Sequence, residues 1–196
     1  MVKIPDTIRD GKGRGYLAGV NSDNQLITRA TTVAQRLAST IDGNYYEATT
    51  GQITLSDATE TGIIYLKNEI TDGRYLVIDR VFFDLWASTG GADDIIMKYY
   101  KDVTITGGTD ITPTNTNYAS ANTATGTFKK SLTTFSGTVW YTGYLSASSS
   151  TPVEEGRIVL PANRTHLITV QAGTANSSMK VAINVAFYYL DIRLIS

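Results

Sequence analysis

Two runs separated by a short polar break constrain this chain most: Thr61–Asn68 (TGIIYLKN) and Arg74–Trp86 (RYLVIDRVFFDLW). Successive side chains of a strand point to opposite faces. In the second run Leu76, Ile78, Phe82 and Trp86 therefore share one face, with Arg80 and Asp84 between them. Tyr75, Val77, Val81, Phe83 and Leu85 share the other, with Asp79. Apolar groups on both faces predict an inner strand whose outer side is also covered. The break contains Asp72-Gly73, a turn dipeptide, so the spacing predicts that the two runs form an antiparallel pair. Nothing within the pair has the makings of chemistry.

The remaining chain reads as more short strands. Candidates are 24–30, 45–48, 52–55, 94–103, 156–161 and 166–171, with two more between Phe128 and Ser146, the second being Gly137–Leu145. The clearest two-residue period lies in 179–192, where Val181, Ile183, Val185, Phe187 and Tyr189 take one face and Ala182, Asn184 and Ala186 the other. Thr31–Thr40 reads as a short helix or an extended link: Thr32 with Gln35 resembles a capping box, but β-branched residues oppose a helix. Residues 106–127 hold eight threonines and one charged side chain, Asp110, with no apolar period. They read as an exposed insertion, either a contact surface or a tolerated polar excursion. About ten strands with Gly, Asn and Asp turns between them predict an all-β fold, an antiparallel β-sandwich of jelly-roll type. The expected organisation is an extended N-terminal arm at 1–24, mildly basic and glycine-rich, then a sandwich domain at 25–196 carrying the 106–127 insertion.

Composition removes several kinds of chemistry. The chain has no cysteine and one histidine, His166, so disulfides, thiolate sites and multi-histidine metal sites within it are excluded. Its net charge of −1 gives no global attraction to nucleic acid or anionic membrane. No run approaches the roughly 18 apolar residues of a membrane span. Met1–Asp6 lacks the apolar stretch of a signal peptide, so the expectation is synthesis in the cytoplasm.

Paired carboxylates for acid–base work would have to come from Asp93-Asp94, Glu154-Glu155 or the Asp57/Glu60 loop. Adjacent acids in a strand face opposite ways, and loop acids are solvated, so none makes a convincing pair. No calcium-loop pattern occurs. His166 has no nucleophile elbow to serve and reads as a hydrogen-bonded structural residue. Asn163-Arg-Thr165 and Asn176-Ser-Ser178 match the glycosylation pattern by chance if the chain is not exported. Catalytic, cofactor and metal residues are all expected to be none. The aromatics Tyr45, Tyr46, Tyr99, Tyr100, Trp140, Tyr141, Tyr144, Tyr188 and Tyr189 are the remaining candidates. Adjacent pairs should place one ring inward and one outward, and the outward rings suit a subunit interface or, alternatively, a sugar platform.

Several stretches taken together carry a likeness: Ala18–Ala30 (AGVNSDNQLITRA), Gly43–Leu55 (GNYYEATTGQITL), Gly62–Asn68, Ala87–Gly91, Arg157–Pro161 and Val181–Leu190. In their order and spacing the chain resembles a family of small virion structural proteins of tailed bacteriophages, of the auxiliary capsid or decoration type. The likeness covers roughly 8–105 and 153–192 and leaves the threonine-rich segment outside. It implies a β-sandwich assembled onto the virion, no enzymatic activity, and no residue motif to carry over. The expected function is a capsid decoration protein that binds the major capsid or other virion proteins and associates with its own copies, a trimer being favoured. Direct contact with nucleic acid or membrane is not expected. The alternative is a tail- or fibre-associated sandwich that binds host glycans through exposed tyrosines and the 106–127 loop.

Overall fold

The computed structural model describes residues 19–20, 26–27, 35–55, 59–86, 95–145, 158–172 and 179–191. The chain divides into two compact units, Met1–Ala34 and Gln35–Ser196. In the first, strand β1 (Gly19–Val20) pairs antiparallel with β2 (Leu26–Ile27). The rest of the expected arm, and of the expected strand 24–30, lies outside the described residues. The second unit opens with a short helix, α1 (Gln35–Ile41), and continues with β3 (Tyr45–Thr49), β4 (Ile53–Thr54), β5 (Thr61–Asn68), β6 (Arg74–Trp86) and β7 (Ile95–Thr106). Then come β8 (Thr109–Asp110), β9 (Thr114–Asn115), β10 (Gly126–Leu132), β11 (Thr134–Leu145), β12 (Ile158–Leu160), β13 (Thr165–Gln171) and β14 (Lys180–Asp191).

Two antiparallel sheets face each other, one in the order β12-β6-β14-β3-β9 and the other β11-β7-β13-β5-β10-β8. Without the short strands and β10, eight remain, four to each sheet. Numbered one to eight along the chain, they run 6-3-8-1 and 5-4-7-2. Each sheet thus interleaves early and late strands, the double Greek-key order of a jelly roll. The expected fold class is the observed one.

The expected pairing of Thr61–Asn68 with Arg74–Trp86 is not observed. β5 pairs with β10 and β13, whereas β6 pairs with β12 and β14 in the opposite sheet. The break between them is a corner rather than a hairpin, and Asn68 makes it one. Its fully buried amide donates to the carbonyls of Arg74 (3.2 Å) and Leu160 (2.8 Å) and accepts from the Ile70 N–H (3.0 Å). Ile70, also buried, carries the connection down into the core. Asp72 caps the bend from outside, bonded to Arg74.

The core between the sheets takes Val181, Ile183, Val185, Phe187 and Tyr189 from β14, the face the periodicity predicts. On β6 the predicted faces hold only in part. Leu76 and Ile78 enter the core, but so do Val81 and Phe83, while Phe82 is 37 % exposed. The register explains it: Ala186 lies opposite Arg80 and Phe187 opposite Ile78, leaving Asp79 as an extra residue. A bulge of this kind reverses which parity faces inward.

Both sheets are also covered on their outer faces. Outside β6-β14-β3, Arg36 of α1 reaches Asp79 (2.7 Å), and Tyr45 donates to the same carboxylate (2.6 Å) beside the stacked ring of Tyr188. On the other sheet the β7–β11 ribbon does the covering. Thr133 alone separates Leu132, opposite Gly62 on β5, from Thr134, opposite Thr106 on β7. The ribbon tip must therefore fold back over the sheet. Asp102, at φ 54°, provides the turn. Val103, Ile105 and Phe135 then pack with Tyr65, Tyr100, Leu132 and Leu167 as a second apolar cluster.

The 106–127 segment is exposed, as expected, yet tied to the sandwich at both ends. β8 pairs with β10 and β9 with β3. Asn115 donates to Gly43 (2.9 Å) and Asn122 (3.1 Å) carbonyls, and Tyr189 donates to the Thr125 carbonyl (2.7 Å). Asparagine side chains supply the backbone partners that an apolar period would otherwise have arranged.

Candidate interaction surface

With both sheet faces covered, the aromatic side chains that remain in water are concentrated on β11. It is the edge strand of its sheet, pairing with β7 alone among the described residues. Val139, Trp140 and Tyr141 are each more than 40 % exposed, and Tyr144 is 71 % exposed. Thr134–Leu145 (TFSGTVWYTGYL) contains no charged residue and no proline, the two side-chain devices that usually guard an open edge.

A bulge gives this edge its geometry. Val139 lies opposite Tyr100 and Tyr141 opposite Tyr99, so Trp140 is an extra residue. A bulge re-aims side chains. Here both Trp140 (5.5 Å between ring centroids) and Tyr141 (5.2 Å) rest against Tyr99. Beneath them a cleft of about 290 Å³ opens between β12 and β11-β7-β13, lined by Trp140, Lys101, His166, Thr165 and residues 158–160.

His166 is buried at the base of this cleft, edge-on to Tyr99 at 5.3 Å and 6.1 Å from Trp140. The expected hydrogen bonds are missing: neither ring nitrogen has a partner. Tyr100 backbone lies close enough to favour the charged form slightly, but not in hydrogen-bonding geometry. The ring is held by aromatic packing instead, and burial pushes its pKa from 6.5 down to about 4. The consequence for stability follows in sign. Between those two values the unfolded chain takes up a proton that the folded chain refuses, so stability falls as pH drops from about 6.5 to about 4. The shift corresponds to about 3 kcal/mol. We expect melting temperature to decline across that window and His166→Phe to flatten the decline. An unchanged slope in the variant would show that other groups carry the acid sensitivity.

Glu60 is the one described member of the expected carboxylate pairs; Asp57, Asp93, Asp94, Glu154 and Glu155 lie outside the described residues, as does the 176–178 sequon. It accepts from Lys98 (2.8 Å), Tyr100 (2.7 Å) and Thr169 (2.6 Å). Burial pushes its pKa upward, but these three donors outweigh it and hold the carboxyl below its ordinary range. A carboxylate so occupied ties the start of β5 to β7 and β13. In the other sequon Thr165 is buried, accepting from the Val103 N–H, and Asn163 takes a positive φ in the turn before β13. Among the described residues no three His, Asp or Glu side chains group as metal ligands, and no helix is long and apolar enough to cross a membrane.

Three adjacent pairs do put one ring on each face of their sheet, with Tyr46, Tyr99 and Tyr189 in the core between the sheets and Tyr45, Tyr188 and Tyr100 on the other side, but those outward rings are covered rather than left in water. Tyr45 and Tyr46 are both buried, as are Tyr99 and Tyr100, because α1 and the ribbon tip cover the faces that would have been outward. Trp140 and Tyr141 are both exposed because the bulge turns them the same way. A second cleft, of about 390 Å³, lies under the 106–127 segment between Arg74, Tyr46, Tyr189 and Asn122 and is polar in character. No family model, curated protein or solved structure matches the chain.

Proposed function

We propose that the chain is a non-enzymatic structural protein of a tailed-bacteriophage virion, of the capsid-decoration type, which associates with its own copies and with major capsid or other virion proteins, with β11 as a contact strand. The observation that carries this reading is the uncharged, aromatic-rich edge from Val139 to Tyr144, which holds most of the exposed aromatic side chains of the described strands. Tyrosine and tryptophan are enriched in protein interfaces, where they act as anchors. The jelly roll is an architecture that viral capsid domains use, although lectins use it too, and fold by itself does not decide function. The sequence likeness to virion proteins points the same way. Co-sedimentation with purified particles tests the reading. The chain should be a stoichiometric virion component, and Trp140→Ala should weaken particle binding roughly 30-fold or more. Tyr144→Ser, which alters a more exposed ring, should also weaken it. A chain absent from virions, or present in a few copies, would overturn the proposal.

One observation favours a second reading, recognition of host glycans from the tail or fibres. The cleft of about 290 Å³ places Trp140 beside Lys101 and buried His166, an aromatic platform next to polar groups. A glycan array with the folded chain decides it: binding that Trp140→Ala abolishes would favour this reading, and a blank array would remove it.

A further inference from the structure

We infer that β11 pairs with β11 of a second copy of this chain, antiparallel about a twofold axis through Trp140. This rests on the reading of β11 as a contact strand and names its partner. The middle of the strand, Gly137-Thr-Val-Trp-Tyr-Thr-Gly143, reads nearly the same in both directions around Trp140. In an antiparallel pair centred there, Trp140 meets Trp140, Val139 meets Tyr141, Thr138 meets Thr142 and Gly137 meets Gly143. Aromatic–aromatic, aromatic–β-branched and Thr–Thr pairs are the favourable cross-strand combinations. Moving the register by two residues sets Val139 opposite Gly143 and Trp140 opposite Thr142, and most of these pairs are lost.

Three structural facts support a second copy as the occupant. The edge is open among the described residues, and exposed Val139, Trp140 and Tyr141 lie at the centre of the repeat, with exposed Tyr144 just beyond it. The strand bears no charge, so two copies meet without like-charge repulsion. The bulge at Trp140, which would interrupt pairing with an unrelated straight strand, sits on the axis and is met by its own copy. A twofold contact of this kind is self-complementary and closes a dimer; a threefold unit could use it only to join one trimer to the next.

The absence of cysteine makes the test direct. Under mild oxidation Trp140→Cys should cross-link to a covalent dimer on its own. Thr138→Cys and Thr142→Cys should each stay uncross-linked alone and cross-link when mixed, a readout that keeps the tryptophan in place. Light scattering of the unaltered chain should give twice 21.3 kDa, or an even multiple of it. Val139→Glu should halve that mass with the melting temperature retained. A monomeric mass for the unaltered chain, or Thr138/Thr142 mixtures that do not cross-link while the mass exceeds that of one chain, would overturn the pairing. If Trp140→Ala still loses particle binding in that event, the virion reading stands without it. If cross-links form but particles never bind the chain, the pairing stands and the virion reading falls.

Discussion

Phe187→Ala should destabilise the domain by about 4 kcal/mol. Phe187 is fully buried on β14, with its ring 5.6 Å from Tyr46 of β3 and 5.9 Å from Tyr189. Across the sandwich it stacks on Phe128 of β10 at 5.1 Å. Truncation to alanine removes the bridge between the sheets and leaves a cavity whose walls are held by two hydrogen-bonded ladders, so little collapse can fill it. Phe187→Leu, which keeps most of the volume but loses the stacking, should cost about 1.5 kcal/mol. Urea unfolding measures both; the midpoints should shift while the slope stays unchanged. A loss below about 1.5 kcal/mol for the alanine variant would mean that the aromatic stack is not the centre of the core.

Asn68→Ala should cost a comparable amount, about 4 kcal/mol, by a different route. The Asn68 amide satisfies three main-chain groups, the Arg74 and Leu160 carbonyls and the Ile70 N–H. Each buried group left without a partner costs about 1–3 kcal/mol. The three bonds also tie β5 of one sheet to β6 and β12 of the other, so their loss should loosen the corner itself. Asn68→Asp separates hydrogen bonding from volume. Near neutral pH its carboxylate still accepts from Ile70 but faces two carbonyls it cannot donate to, so it should be at least as damaging as alanine. Acidification that protonates the new carboxyl restores one donor and should recover part of the loss. Equal stability of the aspartate variant and the parent at neutral pH would refute the role assigned to the amide.

Sequence and structure part company at identifiable residues. Strand existence was legible because β5, β7 and β13 are short runs rich in β-branched and aromatic residues and β6 and β14 alternate, and on β14 even the buried face was legible. The parity of β6 was not, because the extra residue at Asp79 exists only relative to β14. The same holds at Trp140, whose bulge is defined against β7 and aims two adjacent rings the same way. His166 reads as an ordinary polar strand residue; that its nitrogens go unpartnered depends on the aromatic rings of β7 and β11 packed around it. Of the candidate surface, the aromatics of β11 could be named from the chain, whereas their exposure could not.

The amino-acid sequence by itself determined that this is an all-β sandwich without thiol or multi-histidine chemistry, because alternation and composition are properties of each segment taken alone. Tertiary structure decided that β5 and β6 part at Asn68 into opposite sheets, that α1 and the β7–β11 ribbon cover the outer faces, and that β11 is left open. Those outcomes depend on which strand lies beside which, and a local period of two carries no information about its partner.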